Sequence, residues 1–134
     1  MAVDERAARA VRADCRLVIF DFDGTLADSF PWFVAVLDQV AARWRFSSVA
    51  PGEEELLRAM SARAILRHLR MPGWKTPLVA ADLRRRMRAD IDQIRRFDGV
   101  DAMLARLHHS GLELAVATSN SADNVRRVLG ADNL

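Results

Sequence analysis

The chain has 134 residues, 51% of them hydrophobic and 28% charged, with a formal net charge of +2. Charges break every long apolar run, which excludes a membrane span, and so small a net charge dictates no partner and gives no ground for nucleic-acid binding. One cysteine, Cys15, excludes a disulfide framework and suits a reducing, cytoplasmic compartment.

Met1 to Asp14 alternates alanine and arginine with acids and has no apolar stretch of the kind a signal peptide needs, so it reads as a short lead-in helix or a disordered arm. Leu17-Val18-Ile19-Phe20 follows, an apolar run rich in β-branched side chains that predicts a strand covered on both faces. It leads into Asp21-Phe22-Asp23-Gly24-Thr25-Leu26-Ala27-Asp28-Ser29, at the carboxyl end of the strand, where open α/β sheets bind their ligands. Asp21 and Asp23 stand two apart and share a face of a continuing strand, and Gly24 permits a turn in which both lean toward one point. Carboxylates that close repel unless a cation lies between them or one holds a proton. Magnesium suits them, because it takes hard oxygen ligands and keeps waters and substrate phosphate in its shell. One carboxylate can then attack phosphorus while the other shuttles a proton.

This segment resembles motif I of the haloacid dehalogenase superfamily, in the form carried by phosphoglycolate phosphatase-like and phosphoglucomutase-like members. The resemblance implies that Asp21 is the nucleophile that becomes an aspartyl-phosphate and that Asp23 is the general acid/base. It also implies Mg2+ held by the Asp21 carboxylate and the Asp23 backbone carbonyl. An aspartate at the second position marks the phosphoryl-transferring members and argues against carbon–halogen cleavage. A calcium loop fits poorly, since its sixth and twelfth positions would be Leu26 and Trp32. A response-regulator receiver domain would lack the Asp-Gly-Thr-Leu continuation.

Nearly a hundred residues of helical composition separate this motif from the next strand. Phe33, Leu37, Val40 and Trp44 fall on one helical face, as do Val79, Leu83, Met87 and Ile91, with a shorter stripe at Leu57, Met60 and Ala64. Pro51-Gly52 and Met71-Pro72-Gly73 punctuate them, and Glu53, Glu54 and Glu55 suit a first helical turn. The resemblance implies an α-helical cap over residues 30–96, inserted into a core made of residues 1–29 and 97–134, with Phe97-Asp98-Gly99-Val100 as the return link. Arg63, with Arg58 beside it, is the cap's candidate for meeting an anionic substrate. Arg84, Arg85, Arg86, Arg88, Arg95 and Arg96 read as solvated or paired with Asp82, Asp90 and Asp92. Trp32, Trp44 and Trp74 read as cap core or rim.

A helix running to Ser110-Gly111 carries His108 and His109 at its end, where a cation meets the helix dipole well, and no metal-ligand spacing accompanies them. Leu112-Glu113-Leu114-Ala115-Val116-Ala117 then predicts a second strand, delivering Thr118, Ser119 and Asn120 just before a helix over Ala122 to Leu129. Hydroxyls and backbone N–H groups there form a cradle for phosphate oxygens. The segment resembles motif II, whose residue at the position of Thr118 binds the transferring phosphoryl group. Gly24, Thr25, Thr118, Ser119, Asn120 and Arg63 are therefore the candidate phosphate and substrate ligands.

The expected fold is α/β, a Rossmann-like core with an inserted helical cap. Only two strands are legible before Leu134, so the core is expected to be incomplete in this chain and its strand edges and apolar surface open to self-association. The family's later lysine and acids find no counterpart after Thr118, and the sole lysine, Lys75, lies in the cap. The expected function is Mg2+-dependent hydrolysis of a small phosphorylated metabolite, impaired by that loss. The alternatives are a phosphomutase, or a non-catalytic fragment that keeps the phosphate cradle.

Overall fold

The structure is a computed structural model and describes residues 15–130, so the expectations for the first fourteen residues lie outside the described residues. Strand β1 (Leu17–Phe20) pairs in parallel with β2 (Glu113–Val116), in a register that sets Val18 against Leu114 and Phe20 against Val116. Between them run α1 (Phe30–Trp44), α2 (Glu54–Arg58), α3 (Ala62–His68), α4 (Thr76–Asp90) and α5 (Val100–His109), and α6 (Ala122–Leu129) follows β2. A parallel pair needs a long crossover, and here most of it is the helical segment that the sequence stripes foretell.

Two apolar clusters organise these elements. In the first, Phe22, Leu26, Val100, Leu104, Val125, Val128 and Leu129 pack with Phe20, Leu114 and Val116 from the sheet. The second gathers Val36, Leu37 and Val40 of α1, Leu57, Ile65, Leu66 and Leu69 of α2, α3 and the residue that follows, and Val79 of α4. Trp32 packs against both. The stripe that runs along α4 and into Ile91 just past its end divides, with Val79 and Leu83 in the second cluster and Met87 and Ile91 in the first, so one stripe serves two cores.

The expectation that β1 is covered on both faces is corrected here. Leu17 is 45% and Ile19 61% exposed. Alternation along a strand sends Val18 and Phe20 to the opposite face, and among the described residues both α5 and α6 pack on that side.

Polar clamps hold the helices. Asp82, only 5% exposed, accepts from the Trp44 indole at 3.0 Å, from Arg85 at 2.8 Å and from Arg86 at 3.3 Å, which joins α4 to the end of α1. The Trp32 indole donates to Asp90 at 3.0 Å, and Arg127 of α6 pairs with Asp92 at 2.6 Å. Lys75 donates to the Trp44 carbonyl at 2.6 Å, satisfying a free carbonyl at the end of α1. Trp74 lies on the rim, 71% exposed, and His109 bonds the Ala105 carbonyl of its own helix. Where the chain leaves and re-enters the sheet region, Ala27 and Arg96 form an antiparallel bridge flanked by Asp28 N–H to Arg95 carbonyl (2.8 Å) and Phe97 N–H to Leu26 carbonyl (3.1 Å).

Candidate active site

The turn after β1 is built by its apolar residues. The Phe22 carbonyl accepts the N–H groups of Thr25, Leu26 and Ala27 at 3.3, 3.0 and 3.0 Å, and the Gly24 N–H donates to the Ala27 carbonyl at 2.8 Å. Gly24 sits at φ +79°, a left-handed conformation that a side chain disfavours. Phe22 and Leu26 are fully buried and anchor the turn, which leaves Asp21 exposed and Asp23 half-buried.

The second strand brings its own end alongside. Past the paired residues the Ala117 N–H still donates to the Phe20 carbonyl at 2.8 Å, so Thr118, Ser119 and Asn120 emerge beside Asp21 and Asp23. One hydrogen bond joins the two ends directly: Asn120 Nδ2 donates to Asp23 Oδ2 at 3.2 Å. Asp21 Oδ1 accepts the Phe22 N–H at 2.8 Å, while Asp23 Oδ1 is buried and has no hydrogen-bond partner among the described residues.

Thr118 Oγ1 accepts the Asn120 N–H at 3.0 Å, and Ser121 caps α6 by accepting the Asn124 N–H at 3.1 Å. Asn120 Oδ1 accepts from the Ser121 N–H at 2.9 Å and from Asn124 Nδ2 at 2.8 Å. A cavity of about 280 Å³ opens here, lined by Val116, Thr118, Asn120, Ala122, Val125 and Arg126. A larger depression of about 550 Å³ lies at the return link, lined by Ile94, Arg96, Phe97, Gly99 and Val128, and holds none of the candidate residues.

The structure thus brings together Asp21, Asp23, Gly24 and Thr25 from one turn with Thr118, Ser119 and Asn120 from the other. Gly24, Thr25 and Ser119 are exposed at its surface. Arg63 is exposed on α3 and makes no hydrogen bond or ion pair with them among the described residues. Its neighbour Arg58 stacks its guanidinium over Phe30, 4.4 Å from the ring centroid, at the start of α1 and close in sequence to the turn. Asn124 escapes the sequence reading although it is only 3% exposed; the available signal was a polar residue on the apolar stripe of Val125, Val128 and Leu129.

The donor set fits a hard cation. The exposed Asp21 carboxylate and the backbone carbonyl of Asp23, two residues on, are hard oxygen donors, and no group of three or more His, Cys, Asp or Glu suited to a closed metal cage occurs among the described residues. Magnesium asks for no such cage, being held by one or two carboxylates with waters and phosphate oxygens.

A model of the haloacid dehalogenase-like hydrolases matches residues 18–134. The chain belongs to this family. A phosphoglycolate phosphatase from Synechococcus elongatus is 31% identical to this haloacid dehalogenase-like chain over 117 residues, which is 87% of the chain and 55% of that protein. CbbY from Rhodobacter sphaeroides, solved in complex with phosphate, matches with a TM-score of 0.63 at 25% identity, over 86% of this chain and 56% of its own. A crystal structure from Lactobacillus plantarum reaches 0.71 at 24% identity, over 84% of this chain and 54% of its own, and bears on the fold alone. The chain spans about half the length of these relatives. Among its described residues no helix is long and apolar enough to cross a membrane.

Proposed function

We propose that this site belongs to a Mg2+-dependent phosphatase acting on a small phosphomonoester through an aspartyl-phosphate. The observation that carries the reading is the meeting of Asp21 and Asp23 with the Thr118–Asn120 turn, joined by the Asn120–Asp23 hydrogen bond. The Thr118 and Ser119 hydroxyls, with the Ser119 backbone N–H, receive the phosphoryl oxygens. An oxygen of Asp21 attacks phosphorus as the bond from phosphorus to the ester oxygen breaks, and Asp23 gives a proton to the departing alkoxide. Water then attacks the phosphoryl group on Asp21 and loses its proton to Asp23, which frees inorganic phosphate, restores the Asp21 carboxylate and leaves Asp23 protonated, as it began. Mg2+, which the Asp21 carboxylate and the Asp23 backbone carbonyl would hold, would supply positive charge against the negative charge developing on the phosphoryl oxygens.

The helices of residues 30–96 serve as a cap that excludes water and selects the substrate, with Arg58 and Arg63 as its cations. A phosphorylated two-carbon acid, named by the cyanobacterial relative, is the leading substrate. A second reading is phosphate binding with little turnover: among the described residues no lysine is bonded near the acids, Lys75 being held on the Trp44 carbonyl. Hydrolysis of p-nitrophenyl phosphate with Mg2+ or EDTA, beside Asp21→Asn, tests both. Metal-dependent turnover that falls at least a hundredfold in the variant supports the phosphatase. Phosphate binding without turnover supports the second reading, and a folded chain that does neither overturns both.

A further inference from the structure

We infer that Asn120 is a positioning residue for Asp23, an inference that rests on the phosphatase reading for its catalytic meaning. A carboxamide offers one acceptor oxygen and one NH2 donor group. Both lone pairs of Asn120 Oδ1 are taken, by the Ser121 backbone N–H at 2.9 Å and by Asn124 Nδ2 at 2.8 Å. The Ser121 N–H can only donate, so it decides which way round the amide lies. A flip would set the Asn120 nitrogen against that donor. Nδ2 is therefore directed at Asp23 Oδ2, 3.2 Å away and 97 residues earlier in the chain.

The orientation is braced from behind. Asn124 is 3% exposed and sits in the first turn of α6, its own N–H held by the capping Ser121 hydroxyl at 3.1 Å. A hydrogen-bonded line thus runs from the helix through Asn124 and Asn120 to Asp23. It commits Oδ2 of that carboxylate as an acceptor. Oδ1, buried and without a partner among the described residues, is left as the oxygen that exchanges a proton with the ester oxygen and then with water. Asn120 thus spends its acceptor oxygen and one of its two amide hydrogens inside the protein.

The test compares the chain with its Asn120→Ala, Asn124→Ala and Thr118→Ala variants. At fixed pH, Asn120→Ala and Asn124→Ala should each move the 13Cγ resonance of Asp23, the second through the Asn120 carboxamide. An Asp23 resonance unmoved in a folded Asn120→Ala chain overturns the inference, whether or not the chain turns over. Binding of inorganic phosphate with Mg2+ should weaken at least tenfold in Thr118→Ala. Loss of phosphate binding in every form, wild type included, sinks the phosphatase reading while the resonance of Asp23 still decides the positioning. Where turnover is measurable, Asn120→Ala should slow an alkyl phosphate at least tenfold more than p-nitrophenyl phosphate, whose leaving group needs no proton. A uniform loss on both esters would signify a merely structural role.

Discussion

Gly24 and Arg45 show how single backbone positions set stability here. Both lie in the left-handed region, Gly24 at φ +79° in the turn that aims the two acids and Arg45 at φ 56° closing α1 with its N–H on the Ala41 carbonyl. An ideal Cβ on Gly24 would meet nothing within 4 Å, so the penalty for Gly24→Ala is conformational and not steric, about 1–2 kcal/mol. It falls on the turn that carries Asp21 and Asp23, so phosphate affinity should drop with the melting temperature. Arg45→Gly should do the opposite, raising stability by up to about 1 kcal/mol because glycine adopts this helix end without that penalty. Parallel urea melts of the two variants check both signs. Equal and opposite shifts are not required, but a stabilising Gly24→Ala would contradict this account of the turn.

Among the helices, Asp82 makes the strongest claim on the medium. Burial alone pushes its carboxyl up, but the hydrogen bonds from Arg85 and Trp44 and the charges of Arg86 and Arg43 outweigh it and bring it from 3.8 down to about 2. The folded value lies below the unfolded one, so the carboxylate adds stability above about pH 4 that is lost as pH falls toward 2. The difference corresponds to about 2 kcal/mol at most. Acid titration followed by circular dichroism should therefore show helix loss across that window, and Asp82→Asn should be weaker at pH 7 with a flatter acid limb. A variant whose acid limb matches the wild type would shift the cause to other carboxylates.

Helix α6 depends on a different clamp. Its first turn borders the phosphate cradle, while the Arg96 guanidinium donates to the Val128 and Leu129 carbonyls at its end and pairs with Asp101. Buried or half-buried carbonyls that lose a charged donor cost about 1–3 kcal/mol. Arg96→Met keeps the apolar stem and removes the donors, so hydrogen exchange at residues 126–130 should speed up while β1 and β2 stay protected. Faster exchange throughout the sheet would mean that Arg96 supports the whole first cluster and not one helix end.

At the scale of the molecule, what the sequence reveals follows from how local each cause is. The turn after β1 is legible because its acids and glycine fall within nine contiguous residues, and α6 because it follows directly on the second strand and its Thr-Ser-Asn end. Contact between Asn120 and Asp23 is not, since a hydrogen bond across 97 residues leaves no periodic trace. Nor does the stripe of α4 say that its two halves enter different cores. Coverage of β1 is the same kind of fact: Leu17-Val18-Ile19-Phe20 reads as buried on both faces, and only the side on which α5 and α6 pack decides that Leu17 and Ile19 are open. Two aliphatic side chains on a sheet face whose strand edges are unpaired among the described residues form a surface that another copy can cover at little cost. The chain should therefore sediment as a concentration-dependent mixture of monomer and larger species. Leu17→Thr with Ile19→Thr keeps strand propensity and removes most of the apolar surface, so it should return the chain to monomer with its helical content intact. A wild type that stays monomeric at high concentration would show that this face, though apolar, is too small to hold a second copy.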